Sequence, residues 1–188
     1  MMLNLQITQL CHHFINEYVA EGSVCIDATA GNGYDTAFLC SLVGDSGHVL
    51  AFDIQQKALD NTAARLLKLG LSDRAEIIRD SHCNMHKYTP EASVDCIVFN
   101  FGYLPDGDHS VCTHADTSVA AINTALSLLK KGGLLSLCVY SGGDTGFEEK
   151  TAILNFVKGL SQKQYTVLRI DYYNKSNNPP MPVMIIKL

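Results

Sequence analysis

Short apolar runs and longer amphipathic stretches alternate along this chain. Seven runs read as strands: Val24–Ile26, His48–Asp53, Ala75–Arg79, Asp95–Phe99, Leu134–Tyr140, Tyr165–Tyr172 and Val183–Leu188. The first two are almost wholly apolar at their centres, the pattern of strands covered on both faces of a parallel sheet. Leu3–Ala20 carries Leu3, Ile7, Leu10, Phe14, Ile15 and Val19 at helical spacing, which predicts a helix packed on the sheet edge and roofing the ligand site. Further helices are expected at Asp35–Leu42, Gln55–Leu69, Ala115–Leu129 and Phe147–Leu160, with a short one at Ser81–His86 and Gly70 as a C-cap. Turns fall at 44–47 and 130–133. Two strands then follow each other at the end through a loop of about ten residues, a connection that usually pairs strands antiparallel. The expectation is an α/β fold with helices on both faces of a seven-stranded, mostly parallel sheet that has one antiparallel strand near its edge. No composition shift, repeat or low-complexity segment divides the chain, so residues 1–188 are expected to form a single domain.

The stretch Ser23–Thr36, SVCIDATAGNGYDT, is a strand, a glycine turn and the start of a helix. Gly31 and Gly33 permit positive φ and close approach of a ligand, and the exposed N–H groups at the helix start favour polar ligand groups. One such unit is weak evidence. Asp53 sharpens it, because it ends the next strand about 20 residues on, where a carboxylate can accept hydrogen bonds from ribose hydroxyls. The third glycine of the dinucleotide fingerprint is replaced by Thr36. Asp27 on the first turn would repel a pyrophosphate and suit a cation. S-adenosylmethionine carries a sulfonium and an ammonium but no phosphate, so it is the expected cofactor. A nicotinamide dinucleotide is the weaker alternative.

Composition narrows the picture further. No apolar run reaches membrane-spanning length and the N-terminus lacks a signal layout, so a cytoplasmic protein without a membrane partner is expected. The seven cysteines are scattered and mostly lie inside apolar runs, as core residues do. Cys83-Asn84-Met85-His86 and Cys11-His12-His13 are the only metal-like clusters, and no metal is expected. His12 and His13 point to different faces; one could reach substrate, although a structural histidine is the simpler reading. A net charge of −5 argues against broad nucleic-acid binding but leaves room for a small RNA gripped at one loop. Whether the chain forms a homodimer is open at this level.

The carboxyl ends of parallel strands line one crevice. Asp80, Ser81 and His82 therefore face the adenine side; Asp80 could accept the adenine amino hydrogens or cap the short helix. The central strand ends in Asn100-Phe101-Gly102-Tyr103-Leu104-Pro105-Asp106-Gly107-Asp108-His109, a polar loop where a reactive methyl would emerge. The layout as a whole matches a Rossmann-like class I methyltransferase.

The segments DATAGNGYDT, FDI, FNFGYLPDGDH, Tyr140–Glu149 and the closing NKSNNPP resemble small bacterial proteins labelled "putative rRNA methylase", understood as tRNA 5-aminomethyl-2-thiouridine methyltransferases of the MnmM type. The resemblance covers nearly the whole chain. It implies transfer of a methyl group from S-adenosylmethionine to the aminomethyl-uridine at wobble position 34 in a tRNA anticodon loop. It further implies donor contacts from Asn32, Asp35, Thr36, Asp53, Gln55, Ser81 and His82, and acceptor contacts from Asn100 and the loop to Thr113. One departure is that Tyr140-Ser141-Gly142-Gly143 lacks the histidine of the family's Tyr-Pro-Gly-His.

The chemistry asks for little machinery. An alkylamine with pKa about 10.4 is mostly ammonium at neutral pH and must lose a proton before it can attack. Burial beside a sulfonium lowers that pKa, and a carboxylate or imidazole can take the proton. Asp106, Asp108 and His109 are the candidates, with Asp108 or His109 preferred. Asn100 would orient the amine and Tyr103 would stack on the uracil. Arg79, Lys131 and Lys175 are weak candidates for phosphate contacts. An adenine-N6 methyltransferase is the alternative enzyme, because Asn100-Phe101-Gly102-Tyr103 resembles the Asn-Pro-Pro-Tyr loop with both prolines replaced. A nucleoside- or RNA-binding module without activity is the alternative outside enzymes.

Overall fold

A computed structural model describes residues 6–101, 115–140 and 146–188. In chain order these residues form α1 (Ile7–Tyr18), β1 (Val24–Asp27), α2 (Tyr34–Val43), β2 (His48–Asp53), α3 (Gln56–Leu69), β3 (Ala75–Arg79), β4 (Val94–Phe101), α4 (Ala115–Leu128), β5 (Leu129–Val139), α5 (Gly146–Lys158), β6 (Tyr165–Arg169) and β7 (Met181–Lys187), with short 3-10 turns at Ser72–Arg74 and His82–Lys87.

The seven strands make one sheet in the order β3-β2-β1-β4-β5-β7-β6. β7 runs antiparallel to both of its neighbours, and every other pairing is parallel. The expected single reversed strand is thus present, one place in from the edge. Alternation along the strands sorts their side chains between two faces. Cys25, Val49, Cys96, Val98, Leu134 and Met184 face Ile15 of α1, Leu39 and Val43 of α2, and Leu66 of α3. Ile26, Leu50, Ile97, Phe99, Leu135 and Ile185 face Ile122 and Leu126 of α4 and Ile153 of α5. Cys25, Cys40 and Cys96 are free, buried thiols in the first of these layers, where small side chains let the helices approach the sheet closely.

Several details differ from the expectation: β6 ends at Arg169 and not Tyr172, β7 starts at Met181 and not Val183, and three further differences bear on the site. β4 continues two residues past Phe99, because Asn100 and Phe101 go on pairing with Cys138 and Val139. Asn100 therefore stands on a strand, not in a loop. The expected turn at 130–133 is an irregularity within β5: Val94 pairs with Leu129 and Cys96 with Leu134, so the residues between bulge out and Gly132 takes φ +82°. Finally, α1 lies over β4, β5 and β7 and not at the sheet edge, because β7 and β6 extend the sheet beyond β5.

Candidate active site

The turn after β1 is laced to both neighbouring strands. The Ala28 N–H donates to the Val98 carbonyl on β4 (2.9 Å), and the Ala30 N–H to the Phe52 carbonyl on β2 (2.9 Å). Gly31 and Gly33 then take φ +54° and +74°. At Gly33 the requirement is doubled, because a Cβ there would lie 2.8 Å from the Thr62 Cα of α3. The loop is pinned from α3 by three side chains. Asn61 Nδ2 donates to Asn32 Oδ1 (2.8 Å), Thr62 Oγ1 to the Gly31 carbonyl (3.2 Å), and Arg65 Nε to the Asn32 carbonyl (2.6 Å). The Arg65 guanidinium also sits 3.5 Å above the ring of Tyr34. Asp53 closes the turn from β2: its carboxylate accepts from the Gly31 N–H (3.0 Å) and the Gln55 N–H (2.9 Å).

Asp27 lies under this turn, wholly buried. Its carboxylate accepts from Thr36 Oγ1 (2.6 Å) and the Thr29 N–H (3.2 Å). Burial, with the charge of Asp35 added, pushes its pKa up to about 7. Thr36 is equally buried. The structure thus puts both side chains in the support of the turn, and the partly exposed acids around it are Asp35, Asp53 and, at the end of β3, Asp80.

At the end of β3, Asp80 accepts from the Ser81 N–H (2.7 Å), Asn84 Nδ2 (2.7 Å) and the Tyr88 hydroxyl (3.0 Å). These bonds hold its pKa below the usual carboxylate value, the Asn84 amide first among them. Ser81 is the N-cap of the 3-10 turn, its Oγ accepting from the Cys83 N–H (3.3 Å). His82 packs edge-on to Phe99, and burial lowers its pKa, so the ring is neutral at pH 7.

The tip of β4 carries a chain of polar contacts. Thr29 Oγ1 accepts from the Asn100 N–H (2.7 Å), tying β1 to β4. Asn100 Nδ2 donates to Asp35 Oδ2 (2.7 Å), and Asp35 Oδ1 meets His12 Nε2 at 2.6 Å. The His12 ring stacks on Phe38, 3.8 Å between centroids and 8° from parallel. Donation from Nδ2 to this carboxylate oxygen sets the amide orientation of Asn100 and leaves its carbonyl oxygen on the other arm of the amide. Tyr103, Asp106, Asp108 and His109 lie outside the described residues. Of the basic candidates, Lys131 is removed from the site, because the start of β5 lies at the opposite edge of the sheet. Arg79 bonds Gln56 (3.3 Å), and Lys175 sits over the Tyr172 ring.

His12, Thr29, Asn61 and Arg65 are the positions sequence reasoning missed or undervalued. Thr29 sits inside the quoted turn and carried a signal as a hydroxyl next to a strand end. The other three act through space from helices whose face toward the turn no pattern reveals. Among the described residues no cluster of side chains could hold a metal ion, and no helix is long and apolar enough to cross a membrane.

The strand order, the glycine turn and the acid at the tip of β2 define a class I methyltransferase, dependent on S-adenosylmethionine. Residues 49–186 match the model of the family described as "Putative rRNA methylase", and the chain belongs to that family. It is 34% identical over 187 residues to the chloroplastic tRNA (mnm5s2U34)-methyltransferase of Arabidopsis thaliana, covering 95% of this chain and 67% of that protein. Its fold superposes on a "putative rRNA-methylase" from Clostridium thermocellum with a TM-score of 0.95 and 47% identity over all of both chains. A "putative methyltransferase" from Streptococcus mutans in complex with SAH gives 0.89 and 40%, again over all of both chains.

Proposed function

We propose that this enzyme methylates the amino group of 5-aminomethyl-2-thiouridine at wobble position 34 of tRNA, giving 5-methylaminomethyl-2-thiouridine. The observation that carries the reading is the fixed amide of Asn100 at the tip of the central strand. Its Nδ2 is committed to Asp35, so its carbonyl oxygen is the acceptor end of the amide, suited to an amine N–H. The activity named for the Arabidopsis relative supports the same acceptor.

S-adenosylmethionine supplies an electrophilic methyl group on a sulfonium. The residues present suit it. Gly31 and Gly33 let the turn take the left-handed backbone it needs beside α3, and Asp53 offers carboxylate lone pairs beside the turn for ribose hydroxyls. Asn32 and Gln55 frame that position, Asp80, Ser81 and the neutral His82 border the base, and Asp27 and Thr36 brace the turn from beneath. The amine end falls to Asn100, with Tyr103 stacking on the uracil and Asp106, Asp108 and His109 as polar groups of the adjoining loop. Holding the amine in line with the methyl supplies much of the acceleration. The whole chain acts as one catalytic domain, in the cytoplasm, on an anticodon loop.

The test is mass spectrometry of tRNA incubated with enzyme and donor, starting from tRNA carrying aminomethyl-thiouridine. A gain of one methyl on that nucleoside is expected. A gain on adenine N6 would replace this reading with the adenine-directed one. Asn100→Ala should cut turnover by about 100-fold while donor affinity, measured by calorimetry, stays nearly unchanged; equal loss of both would show that Asn100 holds the donor.

A further inference from the structure

The contact between Asn100, Asp35 and His12 does more than fix an amide. We infer that Asp35 is the group that takes the proton from the acceptor amine, and that His12 is its positioning residue. This inference rests on the proposed amine acceptor and deepens it. Three elements far apart in sequence converge here: α1 brings His12, the first turn of α2 brings Asp35, and β4 brings Asn100.

The geometry serves this role in three ways. First, Asp35 Oδ2 and the carbonyl oxygen of Asn100 flank the same amide, since Nδ2 of that amide is 2.7 Å from Oδ2. An amine drawn to the Asn100 carbonyl oxygen thus arrives at the same end of β4 that Asp35 holds. Second, His12 holds Asp35 Oδ1 at 2.6 Å, and its ring is fixed by the parallel stack on Phe38. With Oδ1 held by His12 and Oδ2 by Asn100, the carboxylate is fixed in place and its remaining lone pairs point in set directions. Third, the side chains of the pair are only 16% and 17% exposed, so water competes weakly for the carboxylate.

The step is a proton transfer. An N–H bond of the ammonium breaks, its electron pair stays on nitrogen as the lone pair, and an O–H bond forms on Asp35. The proton then passes to bulk water, so one proton is released for each methyl group transferred. Several titratable groups face Asp35: His12 and Cys11 from α1, Asp27 from β1, Cys96 from β4, and Cys138 and Tyr140 at the end of β5. Among these only Asp27 is a second acid. The missing histidine after β5 is consistent with a proton route that does not use that loop.

The test uses the full-length enzyme and a synthetic anticodon stem-loop carrying 5-aminomethyl-2-thiouridine. Single-turnover rates are read from about pH 6 to about pH 10, spanning the ordinary range of imidazole and alkylamine groups. Calorimetry reads donor affinity, and NMR follows the His12 ring. Asp35→Asn should slow methyl transfer at neutral pH by about 100-fold or more, the scale of a lost general base. That deficit should shrink toward pH 10, where free amine is abundant, a rescue that the loss of a donor contact would not give. Asp35→Glu should recover part of the rate. His12→Gln should cost about ten-fold and shift the pH profile, and the His12 resonances of wild type should move in Asp35→Asn.

A deficit that is the same at every pH, or an equal loss of donor affinity, overturns the inference. So does a pH-rescued deficit in Asp108→Asn or His109→Ala with none in Asp35→Asn. In those cases an active wild type leaves the substrate reading standing. A wild type that does not methylate the stem-loop at any pH overturns both.

Discussion

Asp27 shows how much one side chain can be asked to tolerate. It is a carboxyl sealed beneath the turn it organises, with Thr36 and Thr29 as its partners. Its pKa is raised from 3.8 to about 7, so the folded state holds the proton more tightly than the unfolded chain. Its contribution to stability is therefore fully present below about pH 4 and is lost as pH rises through about 7. A shift of roughly 3 units corresponds to about 4 kcal/mol, as an order of magnitude. Asp27→Asn removes this titration and keeps the hydrogen-bonding shape. Urea unfolding of the two proteins should show the variant gaining on the wild type by a few kcal/mol between about pH 5 and about pH 8. A stability gap that does not move with pH would mean that Asp27 is ionised throughout. Asp53, by contrast, was legible from the sequence, because a strand end fixes where its side chain emerges. The role of His12 was not, because a histidine on a helix gives no sign of what stands opposite it.

The element-scale lesson comes from two glycines in the same backbone region. Gly33 and Gly70 have φ +74° and +68°, but Gly33 faces Thr62 at 2.8 Å whereas nothing lies within 4 Å of Gly70. Gly70→Ala should cost only the left-handed backbone penalty, about 1 kcal/mol. Gly33→Ala adds overpacking against α3 and should cost about 2–4 kcal/mol in thermal or urea unfolding. Similar losses for both would mean that the α2–α3 contact is softer than it looks. A second element-level device is at the other edge of the sheet. Lys187 Nζ on β7 donates to the carbonyls of Leu126 and Leu129, both at 2.8 Å, capping the end of α4 with a cation. Lys187→Met keeps the aliphatic stem and removes the cap. A loss of about 2 kcal/mol is expected in urea unfolding, against nearly none if the carbonyls are satisfied by water.

At the scale of the whole molecule, the sheet acts as a frame that holds four strand ends at one edge. β3, β2, β1 and β4 are neighbours in that order, so the proposed base, ribose and acceptor positions run along it in sequence, with the glycine turn between ribose and acceptor. Ligand binding to that edge should stabilise the entire fold. S-adenosylmethionine at about 100 times its Kd is expected to add about 2.7 kcal/mol, which raises Tm by roughly 6–10 °C for a chain of this size. NAD at the same concentration should leave Tm where it is. A larger shift with NAD would return the site to the dinucleotide class, whose third glycine Thr36 replaces.

The sequence by itself determined the α/β alternation, the reversed strand and the acid-tipped strands, because each follows from local periodicity and from the fixed geometry of strand ends. It placed the ends of β2 and β3 without error, since a short apolar run closed by a polar residue leaves the boundary little freedom. It stopped β4 at Phe99 because Asn100 looks like a loop residue, and only its pairing with Cys138 keeps it on the strand. Tertiary structure alone decided that Asp27 faces inward, that α3 grips the glycine turn through Asn61, Thr62 and Arg65, and that His12, Asp35 and Asn100 meet. Those contacts join residues 23 to 65 positions apart, and no local pattern encodes which of many polar side chains will find each other once the sheet has brought their backbones together.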